Sequence, residues 1–209
     1  MDTVVKFFQD GGTFMYPIAV VLAIGLAIAI ERFIYLSGAK STNRRVFEDE
    51  LLPLLLKNEF VKAAEKARAG KAAISTMLDI GLTRHNAGRS REEIEYSMEE
   101  SLMEILPRLE KRTPYLAMLA NVATLLGLLG TIIGLIAAFT AVANADPAQK
   151  ANLLSQSISV AMNTTAFGLM AAIPLLLIHS YLQAKTNEIV DSFEMAGIKV
   201  LNLCASSRS

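Results

Sequence analysis

The chain holds little of what covalent or acid–base chemistry needs. Its only histidines are His85 and His179, and its only cysteine is Cys204. A histidine-based catalytic site or a thiolate zinc cluster therefore has no material to build from, and Cys204 cannot form an internal disulfide. No nucleophile stands beside a base, so an enzyme is not expected. What recurs at helical spacing is threonine: Thr124 and Thr131 lie in one apolar run, and Thr164 and Thr165 lie in the next. A hydroxyl both donates and accepts, so in apolar surroundings it can tie helices together or help solvate a passing ion.

The first of these runs, Tyr115 to Ala143, exceeds the ~20 residues a helix needs to cross a bilayer. At about 100° per residue, Ala120, Thr124, Gly127, Thr131, Gly134 and Ala138 stack into one stripe, while Leu125, Leu129, Ile132, Ile133 and Ile136 cover the rest. The second run, Ile158 to Leu182, repeats the design with Ser157, Ala161, Thr164 beside Thr165, Gly168, Ala172 and His179. Small residues let membrane helices approach closely, and Gly130 and Gly134 fit that motif. Close packing explains the stripes on this evidence, and so does an ion path lined by threonines in a ring of subunits. The glycines of the first run are no nucleotide fingerprint, because they open no βαβ unit.

Stepping outward from the stripes, the 209 residues are 53% hydrophobic, lack Trp and carry zero formal net charge, which gives no reason to expect nucleic acid as a partner. Hydropathy predicts an all-α integral membrane protein with three transmembrane helices and a cytoplasmic helical domain. Residues 1–13 form an outer, interfacial N-terminus; 14–36 are the first span, 37–114 an inner helical loop and 115–143 the second span. Residues 144–152 make a short outer turn, 153–182 the third span and 183–209 an inner helical tail. The first span is too long for a signal-peptide core and lacks a basic leader. Gly11 and Gly12 break the chain before it, Pro17 is tolerated in its first turn, and Lys6, Phe7 and Phe8 fit either a surface-lying segment or a frayed end. Glu31 and Arg32, near its exit, read as an interfacial anchor that snorkels, with an ion pair to another helix or subunit as the other reading.

Orientation follows from the cations near the span ends. Lys40, Arg44, Arg45, Arg108, Lys111, Arg112 and Lys185 lie on one side, against Lys6 and Lys150 on the other, which places the N-terminus outside and the C-terminus inside. The inner loop has helical periodicity with breaks at Asn58, Gly70 and Gly88, and Ser90 with Glu93 forms a capping box. Pro107 and Pro114 are expected bends. The acidic run Glu92, Glu93, Glu95, Glu99, Glu100 and Glu104 reads as a solvated face at a helix N-terminus rather than a metal site. In the tail, Ile189, Phe193, Ile198 and Leu201 form the apolar period of a third helix continuing past the membrane.

The motif GLLGTIIG, Gly127 to Gly134, paired with TTAFGLMAAIP, Thr164 to Pro174, resembles the MotA/TolQ/ExbB proton-channel family. The layout of one span, a large inner loop, two close-set spans and a helical tail is most similar to ExbB and TolQ; MotA has four spans. The resemblance implies a homopentamer in a bacterial inner membrane, with residues 1–13 and 144–152 periplasmic. It implies a ring around a single-span ExbD/TolR-like partner that carries an aspartate, ion flow that moves the partner's periplasmic domain, and a TonB-like or other periplasmic effector. No cofactor or metal is implied. Thr131 and Thr165 match the family's threonines and Pro174 its proline; Thr124 and Thr164 join the ion pathway, and Gly127, Gly134, Ala161 and Gly168 join Pro174 as pore-lining or packing positions. No carboxylate accompanies these threonines, so the chain can solvate an ion but cannot relay a proton through an acid of its own. Val160 stands where many relatives carry a glutamate, which leaves a sodium-driven, stator-like motor open beside the proton-driven one favoured by family prevalence. Ser159 and Asn163 point away from the stripe and suit a subunit contact. A purely structural membrane scaffold is the alternative from another class.

Overall fold

Glycine 12, with φ +75°, turns the chain into its first helix, where the Met15 amide closes on the Gly12 carbonyl at 3.2 Å; a residue with a Cβ resists that left-handed backbone. The computed structural model describes residues 11–143 and 145–207, so Lys6, Phe7 and Phe8 lie outside the described residues. The elements among these are all helical: α1 (Met15–Arg45), a π-helical turn (Val46–Leu51), α2 (Leu52–Leu56), α3 (Phe60–Ala69), α4 (Ala73–Asn86), α5 (Arg91–Glu110), α6 (Thr113–Ala143) and α7 (Lys150–Ser206). Among the described residues, three helices are long and apolar enough to cross a membrane. The protein is therefore an all-α, multi-pass membrane protein.

The expected helix breaks appear where local chemistry demands them. Asn58, at φ 60°, separates α2 from α3, and Gly88, at φ 76°, follows α4. Gly70 is extended after α3. The Ser90 hydroxyl accepts from the Glu93 amide at 3.2 Å while the Ser90 amide donates to the Glu93 carboxylate at 3.1 Å, which satisfies two donors at the start of α5. Pro107 sits inside α5, which continues to Glu110. The chain changes helices between the two prolines, at Arg112 with φ 68°.

The chain divides into two compact units. The first comprises Met1–Glu31 and Arg112–Tyr181. Its interior is narrow and lined largely by small side chains, with Ala120, Ala123, Ala138, Ala161, Ala171 and Ala172 buried beside Met15, Ile18, Leu116 and Leu175. Its large apolar residues face outward: Val20, Ile24, Leu125, Ile132, Ile136, Phe139 and Leu177 are exposed. That arrangement is stable where the solvent is lipid, because acyl chains accept the bulky groups while small ones let backbones meet. Glu31 pairs with Arg112 at 3.3 Å, both partly exposed.

The second unit comprises Arg32–Lys111 and Leu182–Ser209. It has a conventional core of Leu51, Leu55, Leu78, Leu82, Ile94, Met98, Phe193 and Val200. Arg32 overturns the snorkelling expectation, since it is only 2% exposed. Its guanidinium donates to the Leu109 carbonyl and lies 4.6 Å from the centre of the Tyr35 ring. Leu109 is in the last turn of α5, whose carbonyls lack helical partners and carry the negative end of the helix dipole. Arg32 is thus a cap for α5. The six glutamates of the acidic run are all exposed. On the surface, the Lys40 ammonium hydrogen-bonded to Glu188 holds that carboxyl below its ordinary range, so the pair's support is present at neutral pH and lost as pH falls through the folded value.

The tail corrects the sequence reading at one position. Ile189, Phe193, Ala196, Val200 and Leu201 are buried, whereas Ile198 is 55% exposed. Over so long a helix the buried face follows i, i+4, i+7 and i+11 from Ile189, which leaves Ile198 on the far side. Phe193→Ala is expected to destabilise the second unit by about 3–5 kcal/mol, and Ile198→Ala to stay within about 0.5 kcal/mol of wild type. Denaturant unfolding followed by circular dichroism on the full chain checks both.

Candidate functional site

Where α6 meets α7 the two backbones touch. A Cβ placed on Gly168 would stand 2.8 Å from the Ala123 carbonyl oxygen and 3.0 Å from the Gly127 Cα; one on Gly127 would stand 3.3 Å from the Cα atoms of Thr165 and Gly168. Backbone atoms cannot rotate out of the way as a side-chain tip can. Further along the same seam, a Cβ on Gly134 would lie 2.9 Å from the Ala161 Cβ, and one on Gly130 would run into the Thr164 methyl group. The two stripes read from the sequence thus face one another inside a single chain, and close packing accounts for their glycines.

The hydroxyls are not needed for that approach, and two of them converge beside it. The Thr165 hydroxyl donates to the Gly127 carbonyl at 2.9 Å. The Thr131 hydroxyl lies 3.2 Å from the same carbonyl and 3.5 Å from that of Ala161, and the two hydroxyls are in direct contact. Each has one proton to give, whereas the four oxygens together offer several lone pairs. The cluster is therefore rich in acceptors and has no acid or base. Both threonines are half-buried and point at one another across the α6–α7 seam.

The remaining candidates separate from this pair. Thr164 is 2% exposed, and its hydroxyl lies 2.7 Å from the Gly11 carbonyl and 3.0 Å from that of Val160. The Thr124 hydroxyl turns back to the Ala120 carbonyl of its own helix at 3.1 Å. Ala161 is buried under Gly134, whereas Pro174 is exposed within α7. Ser159 is exposed, Asn163 half-buried, and Val160 approaches Gly12. Among the described residues no group of His, Cys, Asp and Glu can hold a metal ion. The Gly11 carbonyl is the partner that sequence reasoning missed. It is 153 positions from Thr164, and the only hint was the glycine pair before the first span.

The sequence pattern of the MotA/TolQ/ExbB proton channel family matches residues 54–195. An ExbB-like biopolymer transport protein of Synechocystis is 30% identical over 193 residues, spanning 91% of this chain and 74% of the relative. An ExbB homolog of Methanothermobacter thermautotrophicus is 28% identical over 194 residues, 92% of this chain and 67% of its own length. The Tol-Pal system protein TolQ of Haemophilus influenzae is 36% identical over 85 residues, 41% and 37% of the two chains.

Gly168→Ala places a methyl group against backbone and is expected to cost about 1–3 kcal/mol by forcing α6 and α7 apart. Gly38→Ala, where nothing lies within 4 Å, is expected to be neutral or slightly stabilising, since alanine favours a helix. Thermal unfolding in detergent distinguishes the two variants.

Proposed function

Since the chain belongs to the MotA/TolQ/ExbB proton channel family, we propose that it is the ring-forming subunit of an ion-driven motor in a bacterial inner membrane. In this reading five copies surround the membrane helices of a single-span, ExbD/TolR-like partner. Ion flow along the boundary between ring and partner moves the partner's periplasmic domain, through a TonB-like or other effector, to do transport or envelope work. The N-terminus is periplasmic and the C-terminus cytoplasmic, in accord with Lys40, Arg44, Arg45, Arg108, Lys111, Arg112 and Lys185, which flank the spans at one set of ends.

The observation that carries this reading is the Thr131–Thr165 hydroxyl pair set on the Gly127 carbonyl. Taking a cation or a proton-bearing group across an apolar region requires oxygen atoms to stand in for lost water. The pair supplies them on a rigid backbone. Neither apolar run holds an aspartate or glutamate, and this reading assigns the carboxylate that takes up and releases the proton to the partner. A partner carboxylate that has gained a proton is neutral and passes the surrounding leucines and isoleucines at far lower cost than an ionised one. Thr131 and Thr165 are the waypoint at which it exchanges. Thr124 and Thr164 stand along the same route, and Gly127, Gly134, Ala161, Gly168 and Pro174 shape the wall. Protons are the favoured ion, and an oxygen-only site also admits sodium.

In a scaffold the hydroxyls serve only to tie α6 to α7 across the glycine seam, so their loss would cost stability and not flux. Thr165→Val keeps the side-chain volume and removes the hydroxyl. It is expected to leave the complex assembled while ion flux in liposomes holding ring and partner falls about tenfold, the equivalent of one hydrogen bond worth ~1.4 kcal/mol; Thr165→Ser is expected to keep most of the flux. Wild-type flux in the valine variant would favour the scaffold.

A further inference from the structure

We infer that the second unit contains a binding site for a phosphate-bearing anion, in a cavity of about 480 Å³ separate from the threonine pair. Its walls come from the end of the apolar part of α1, the start of α4 and the last turns of α5. The clearest sign is Ser101, which lines the cavity at 3% exposure and whose Oγ has no hydrogen-bond partner. A buried hydroxyl left unpaired is costly, and in native proteins it calls for a missing partner.

The charges around it state what that partner is. Lys71 and Arg108 line the same cavity, and neither is paired with a carboxylate among the described residues. Glu104 is the one acidic group on the wall. Ala72 and Ala73, the N-cap and first residue of α4, also line it. α4 is 14 residues long and receives no side-chain cap from Ala72; Asn43 accepts only from the Ile74 amide, at 3.2 Å. The positive end of a helix, two cations and an unpaired hydroxyl donor against one carboxylate select an anion, and phosphate oxygens accept from every one of these donor types.

The other walls are apolar. Ile34, Ile105 and Leu109 contribute to the lining, and Ile34 belongs to the apolar run of α1, two residues before Leu36 closes it. A cavity at the end of a membrane-length apolar run lies where bilayer headgroups begin. The phosphate is accordingly that of an acidic phospholipid, its apolar part against the isoleucines and its phosphate at Lys71, Arg108 and Ser101.

Native mass spectrometry of the full chain released from detergent, with phosphatidylglycerol or phosphatidylcholine added, tests this directly. The site predicts preferential retention of phosphatidylglycerol. In the Lys71→Gln/Arg108→Gln variant retention falls about tenfold or more, and in Ser101→Ala several-fold, as expected for lost charge-assisted and neutral hydrogen bonds. Melting temperature with added inorganic phosphate separates the sources: a rise in wild type that the double variant lacks supports the site with free phosphate as its occupant. Equal retention of both lipids with no phosphate effect, or retention unchanged in the double variant, overturns the proposal. Lipid-free melting of each variant at the wild-type temperature shows that a loss of binding is not a loss of fold.

Discussion

The contact between the Gly127 and Gly168 backbones constrains everything around it. In lipid, no hydrophobic force brings two apolar helices together, so association rests on close packing and on hydrogen bonds across the seam. With the Ala123 carbonyl 2.8 Å from where a Gly168 Cβ would be, α6 and α7 can take this crossing only if both positions stay bare. Once they do, rotation about either helix axis is fixed. Thr131 follows Gly127 by one turn, and Thr165 precedes Gly168 by nearly one, so the same crossing brings their hydroxyls together at the Gly127 carbonyl.

Under the proposed function, packing and ion passage are two uses of one surface. The glycines make the approach possible, and the threonines occupy the narrow polar strip that the approach creates. Large apolar groups such as Ile132, Ile136 and Leu177 face outward, while the oxygens of Thr131, Thr165 and Gly127 cluster on the seam between the two helices. Because the strip holds no carboxylate, the proposed function includes a second protein. The caps follow a similar economy: Arg32 satisfies the end of α5 through the Leu109 carbonyl, while its neighbour Glu31 pairs with Arg112.

Much of this was legible in the residues. Turn-forming Asn58, Gly70 and Gly88 and the Ser90–Glu93 box act within a few positions of themselves, so their effects survive into the fold. The two stripes were legible because a helix in lipid sorts small from large residues by face. Other features depend on contacts no local period encodes. Arg32 looked like a snorkelling anchor because its partner is a carbonyl 77 positions away. Thr164 looked equivalent to Thr165, but one helical step turns it toward the Gly11 carbonyl. Ile198 failed because an apolar residue is not evidence of its own face unless the phase of the whole 57-residue helix is tracked.

The central claim is that Thr131 and Thr165 act as one unit on the ion. A double-mutant cycle on ion flux measures that unit: Thr131→Val, Thr165→Val and both together, in liposomes holding ring and partner, with assembly verified for each. The account predicts that the double variant conducts about as poorly as the weaker of the single variants and no worse, because either change already breaks the shared cluster. Losses that simply multiply, or a double variant that conducts as wild type, would contradict it.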